Sequence, residues 1–197
     1  FVNIVSNTSL YAGSQELGTL RSYDRVNKIW NPQEIFTNQF GAAMGVLALA
    51  FGSDDTLYVA GYDYGTLRSY DTVSKKWGFL GNLIKYGSHR GIWSLAFGSD
   101  GILYVGGSKA FSSYDPIGKT WVALEAFRTD RREVNTDALA FGPDGLLYVG
   151  TTWNADSFNL RTYNPATKKY GSGLDSHMFR YKLGRNVGVR SLTFCPD

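Results

Sequence analysis

A Leu-Tyr dipeptide followed by a small apolar residue returns four times along this chain, as Leu10-Tyr11-Ala12, Leu57-Tyr58-Val59, Leu103-Tyr104-Val105 and Leu147-Tyr148-Val149, at steps of 47, 46 and 44 residues. Self-similarity at this period limits the fold sharply, because each copy must be one small supersecondary unit that buries its apolar face only by stacking on the next. A second segment recurs in step: LRSYDRVNKIW from Leu20, LRSYDTVSKKW from Leu67, FSSYDPIGKTW from Phe111 and LRTYNPATKKY from Leu160. Tyr23, Tyr70, Tyr114 and Tyr163 thus each precede a closing aromatic, Trp30, Trp77, Trp121 or Tyr170, by 7 residues.

The third copy shows the unit most plainly. Its apolar runs predict four short strands in a meander, Trp93–Phe97, Ile102–Val105, Phe111–Tyr114 and Thr120–Leu124, with Ser99-Asp100-Gly101 as the first hairpin turn. Successive side chains of a strand point to opposite sides, so the first strand of each copy sorts into two sets. Leu49 and Phe51, Leu95 and Phe97, Leu139 and Phe141, and Leu192 and Phe194 form a large apolar set, while Ala48 and Ala50, Ser94 and Ala96, Ala138 and Ala140, and Ser191 and Thr193 form a small one. Large residues facing one neighbouring sheet and small ones facing the other let the sheets nest. The expected fold is an all-β propeller of four-stranded meander blades, and the segments between copies show no helical period.

The repeats run over about 1–45, 46–91, 92–135 and 136–188 within one domain, 1–197, and residues 189–197 match the first strand of a further copy. Phe1–Asn7 matches the same strand. A closed ring of four blades is expected, with Val189–Phe194 pairing beside Leu10–Ala12 to remove two exposed edges. The alternative is part of a larger propeller.

Composition narrows function by exclusion. A net charge of +3 in 197 residues is too small and dispersed for a nucleic-acid binder, which needs a concentrated basic face. No apolar run reaches the roughly 20 residues that span a bilayer. The single cysteine, Cys195, leaves no internal disulfide, and His89 and His177 are too few for a histidine-based metal centre. Asp54, Asp55, Asp100 and Asp144 read as turn residues rather than calcium ligands, because their spacing lacks the further oxygens of a calcium loop. No catalytic residue, metal or cofactor is expected.

In a meander, the turns between first and second and between third and fourth strands share one edge; the second-to-third turns and the loops between copies share the other. The first edge repeats closely. The second varies, with Gln15-Glu16-Leu17, Tyr62-Asp63-Tyr64, Ser108-Lys109 and Trp153 to Phe158 as turns, and His89-Arg90, Arg131-Arg132 and Arg185-Asn186 before first strands. Variable loops on a rigid scaffold are where binding residues gather. Tyr62, Tyr64, Trp153 and Phe158 with Arg90, Arg132 and Arg185 therefore form the candidate ligand-binding set, combining aromatic planes for sugar rings with guanidinium groups for carboxylates. The expected function is lectin-like, non-catalytic carbohydrate binding, with a protein-interaction scaffold as the alternative. A polysaccharide lyase is the second alternative, in which Arg90 or Arg132 neutralises a carboxylate while Tyr62, Tyr64 or His89 acts as base.

At Tyr104-Val105-Gly106-Gly107, followed by Tyr114-Asp115-Pro116 and Trp121, the chain resembles a kelch-type repeat. The Leu95 to Gly107 half, LAFGSDGILYVGG, is also similar to propellers of the NHL and streptogramin-lyase-like group. The kelch resemblance implies partner binding; the second group includes both sensors and enzymes.

Overall fold

The computed structural model describes residues 2–5, 9–83, 91–124, 134–152, 160–171 and 188–194, with backbone alone for 2–5 and 152. Contacts divide the chain into two compact units, Phe1–Trp93 and Ser94–Asp197. The first sheet contains β1 (Val2–Val5), β2 (Ser9–Gly13), β3 (Thr19–Asp24) and a fourth position split into β4 (Ile29–Trp30) and β5 (Glu34–Ile35). The second is β6 (Val46–Phe51), β7 (Thr56–Gly61), β8 (Thr66–Asp71) and β9 (Lys76–Asn82). The third is β10 (Ile92–Phe97), in which the division between units falls, β11 (Leu103–Gly107), β12 (Ala110–Asp115) and β13 (Thr120–Ala123). The fourth is β14 (Asn135–Phe141), β15 (Leu147–Thr152), β16 (Leu160–Asn164) and β17 (Lys169–Tyr170). Every sheet is an antiparallel meander, and the molecule is an all-β protein of four such sheets, as the repeat predicts.

Turn chemistry explains why the meanders form. In the third-to-fourth turns, Asp24, Asp71, Asp115 and Asn164 each accept two backbone N–H bonds through Oδ1, from Val26 and Asn27, Val73 and Ser74, Ile117 and Gly118, and Ala166 and Thr167. The lysine completing each turn, Lys28, Lys75, Lys119 or Lys168, takes a positive φ of 52 to 59°. The chain then returns in a register that sets Tyr23 opposite Trp30, Tyr70 opposite Trp77, Tyr114 opposite Trp121 and Tyr163 opposite Tyr170. Those rings lie 4.7 to 5.2 Å apart, so the recurring aromatic pair is a cross-strand packing device. The first hairpins obey the same logic. Asp54, Asp100 and Asp144 accept the N–H two residues on, and Gly101 and Gly145 take positive φ beside the last two.

Each unit has its own core. In the first, Leu49, Leu57, Val59 and Tyr70 of the second sheet pack on Tyr11 and Leu20 of the first. In the second unit, Leu139, Leu147, Val149 and Tyr163 pack on Tyr104 and Phe111. The large set of the first strands thus faces the preceding sheet: Phe51 meets Tyr11 and Phe141 meets Tyr104, both edge-on at 5.5 Å.

The C-terminal segment does not do what its sequence suggested. The place beside Leu10–Ala12 belongs to β1, with Val5 opposite Leu10, Ile4 opposite Tyr11 and Asn3 opposite Ala12. Residues 188–194 form no strand and lie against β15, with the Val189 N–H donating to the Thr151 carbonyl at 3.2 Å and Phe194 edge-on to Tyr148. Both segments carry the first-strand pattern, and loop closure decides between them. A near neighbour loses far less chain entropy in pairing with β2 than a segment nearly two hundred residues away.

Candidate functional site

The variable edge is best defined in the first unit, where the β2–β3 loop, the β7–β8 loop and the segments before β6 and β10 converge. Backbone contacts pin them. Val46 N–H donates to the Ser14 carbonyl at 2.9 Å, and Tyr62 N–H to the Gly45 carbonyl at 3.3 Å. The approach is so close that a Cβ at Gly45 would overlap the Gln15 carbonyl, and one at Gly91 would sit 2.8 Å from the Tyr62 carbonyl oxygen. Glycine just before these first strands is therefore a packing requirement. Between β5 and β6 the chain makes a small hairpin, with Thr37 bridged to Ala43 and the Asn38 carboxamide accepting the N–H groups of Phe40 and Ala42. Its base is anchored by Phe36, buried and 5.8 Å from the Trp77 ring, and by Arg68, which donates to Thr37 Oγ1 at 2.7 Å.

On this scaffold the apolar side chains point outward. Tyr62 is 40% exposed and Tyr64 53%, and Leu17 and Phe40, at 71% and 76%, are almost bare. Tyr62 to Thr66 makes a single 3-10 turn, Asp63–Gly65, in which Tyr64 holds φ 57° and ψ 12°. A left-handed backbone is uncommon for a bulky residue and costs on the order of 1 kcal/mol, which the adjoining turn must offset. Thr66 assists by donating its hydroxyl to the Asp63 carbonyl at 3.2 Å. The result is an exposed tyrosine on a hydrogen-bonded turn, two residues from a second exposed tyrosine.

Of the residues expected to bind, Tyr62 and Tyr64 stand together on this loop, while Arg90, Arg132, Trp153, Phe158 and Arg185 lie outside the described residues. His89 and His177 lie outside them as well. The structure adds Trp93, half-buried, whose indole Nε1 comes within 3.0 Å of the Cβ position of Gly91, itself against Tyr62. Trp93 looks from sequence like an ordinary first-strand residue; only the closeness of Gly91 to the Tyr62 loop places it by the site. Phe40 likewise sits in an interval with no repeat pattern to mark it.

The aspartates are engaged elsewhere. At Asp24 and Asp71, N–H bonds from the turn hold the carboxylates below the usual range, and at Tyr104 burial first, then the Asp100 carboxylate, push the phenol above its ordinary value. Among the described residues no group of three or more His, Cys, Asp or Glu side chains is placed to hold a metal ion. No helix among the described residues is long and apolar enough to cross a membrane.

No protein-family model matches the sequence, and no curated protein does. Among solved structures, the chain is similar to the extracellular domain of a protein assigned as a hybrid two-component system, BT4673 of B. thetaiotaomicron, with a TM-score of 0.66 at 17% identity over 86% of this chain. A second such domain, of BT3049 from the same organism, gives a TM-score of 0.61 at 16% identity over 83% of this chain. The chain spans 21% and 22% of the lengths of those two extracellular domains, and at this identity the likeness is one of fold.

Proposed function

We propose that the four sheets are blades of a propeller and that the chain is a non-catalytic binding module whose variable edge recognises carbohydrate. The observation that carries this reading is the pair Tyr62 and Tyr64, both exposed on one short turn, the second with a left-handed backbone. Planar aromatic faces are suited to stacking on sugar rings, and the arginines expected from the sequence, Arg90, Arg132 and Arg185, which lie outside the described residues, would favour acidic sugars. Similarity to extracellular domains of two-component systems supports a ligand-receiving role.

Stacking and charge pairing at an exposed site contribute about 1 kcal/mol each, so single-site affinity is weak and rises when several sites engage one chain. The test is a glycan array followed by titration at two salt concentrations. Acidic glycans should lose affinity as salt is added, and neutral ones should not. Time-dependent release of unsaturated product from a polyuronate would instead identify a lyase.

Phe40, with Leu17 as a further exposed apolar side chain, favours a second reading, a protein partner, because aromatic residues are enriched in protein interfaces relative to the rest of the surface. The kelch resemblance of the third copy points the same way. Pull-down of a partner that survives Tyr62→Ala and Tyr64→Ala but fails on Phe40→Ala would select it.

A further inference from the structure

The first unit contains a cavity of about 180 Å³ that begins with a fault in its fourth strand. β4 pairs Trp30 with Tyr23, and β5 pairs Glu34 with Leu20, so three residues, Asn31, Pro32 and Gln33, stand opposite two, Arg21 and Ser22. Proline has no N–H to donate to the ladder, and the extra residue bulges away from β3. The space opened lies between the first sheet and Tyr70 of the second.

The second unit shows what fills the matching place there. By the repeat, Leu20 corresponds to Phe111, Arg21 to Ser112 and Tyr70 to Tyr163. Phe111 is fully buried, with ring centroids 5.3 Å from Tyr163 and 6.3 Å from Tyr104, so its ring occupies the gap that the smaller Leu20 leaves. Leu and Arg also stand together at Leu67-Arg68 and Leu160-Arg161, so what sets this place apart is the bulge at Pro32, beside a Leu20 too small to fill it.

Its chemistry is lopsided. Leu20, Pro32 and the rings of Tyr11 and Tyr70 line it with apolar surface, while Arg21 and Lys75 bring two cations against the one carboxylate of Glu34. That carboxylate already accepts the Tyr70 hydroxyl. Both cations are held at aromatic faces, Arg21 at 5.3 Å over Trp30 and Lys75 at 6.0 Å from the Tyr70 ring centre. Arg21 also donates to the Asn31 carbonyl at 3.4 Å, at the bulge. The volume is below the roughly 300 Å³ where pockets for drug-sized ligands begin, which limits an occupant to one ring.

We propose that this cavity binds a small carboxylate carried on a single six-membered ring, with the ring against Leu20 and the tyrosines and the carboxylate between Arg21 and Lys75. The ring acid could be a uronic acid or an aromatic acid, which share that chemistry. This site is separate from the loop edge and does not depend on the carbohydrate reading.

The test titrates the whole chain with sodium glucuronate, sodium benzoate and glucose by calorimetry. At least one acid should bind with a Kd of about 1 to 10 mM, and glucose at least about tenfold more weakly. Leu20→Phe, which installs the residue of the third copy, should abolish acid binding while the far-ultraviolet dichroism stays unchanged. Arg21→Ser, on an exposed side chain and again matching the third copy, should weaken binding by about tenfold or more. Tyr62→Ala with Tyr64→Ala should leave it unaltered. Whichever acid binds identifies the source. Absence of acid binding at about 50 mM, equal binding of glucose, or full binding by Arg21→Ser would overturn the proposal, and the last holds even if Leu20→Phe fails to fold.

Discussion

Phe194 packs edge-on against Tyr148 with ring centroids 4.9 Å apart, the same relation that Phe51 has to Tyr11 and Phe141 to Tyr104. The matching backbone contact also recurs, since Val189 N–H reaches Thr151 as Val46 N–H reaches Ser14. Residues 188–194 therefore sit on the fourth sheet in the manner of a next copy's first strand, although they form no strand. Within each unit, the seam between sheets is thus built from one tyrosine and one phenylalanine per copy.

Truncating that seam should be costly in proportion to burial. Leu147→Ala, fully buried beneath Tyr104 and Tyr163, should lose about 2 to 5 kcal/mol in urea unfolding, whereas Tyr104→Phe, which keeps the ring and loses only the hydroxyl bond to Asp100, should lose about 1 kcal/mol. Phe194→Ala should cost less than Leu147→Ala, because Phe194 is 39% exposed.

The loop edge should be intolerant of a single methyl group at Gly45. Gly45→Ala places a Cβ into the Gln15 carbonyl, backbone against backbone, and should lower stability by about 2 kcal/mol or more. Gly78→Ala offers the contrast, since its Cβ would meet the Ser69 hydroxyl, which can rotate aside, and otherwise only the Ser69 Cβ at 3.9 Å. Thermal unfolding of the two variants should differ clearly.

Stability should fall at both ends of the pH scale. At Asp24 and Asp71 the folded chain lowers the pKa, so their contribution is complete above the ordinary aspartate value and is lost as pH falls through the depressed one. At Tyr70 and Tyr104 burial raises it, so their contribution is complete below the ordinary tyrosine value and is lost as pH rises beyond it. Asp24→Asn with Asp71→Asn retains the acceptor oxygens and should flatten the acid limb of a pH-resolved denaturation series. An unchanged acid limb would place that dependence elsewhere.

The sheets were readable because their determinants are local. A Tyr-Asp turn, a lysine that accepts positive φ and an aromatic seven residues after the tyrosine specify a hairpin within one short segment. The terminal strands were not, because Val2–Val5 and Val189–Phe194 carry the same pattern and only chain distance separates them. Tyr62 and Tyr64 were legible as variable-loop aromatics. Trp93 was not, since its place depends on how closely Gly91 meets Tyr62. The cavity beside Leu20 needs a register as well as a sequence: Pro32 marks a break, but only its position opposite Arg21 and Ser22 turns the break into an opening.

Chemical-shift mapping with the strongest glycan from the array would locate where ligand is received. Binding on the loop edge through Tyr62 and Tyr64 should give perturbations concentrated at Gly61 to Thr66 and at Trp93, and loss of about tenfold or more in affinity for the Tyr62→Ala, Tyr64→Ala variant at unchanged melting temperature. Perturbations confined to the opposite edge, at Asp71 to Lys76 and Asp115 to Thr120, with the double variant binding as tightly as the native chain, would contradict it.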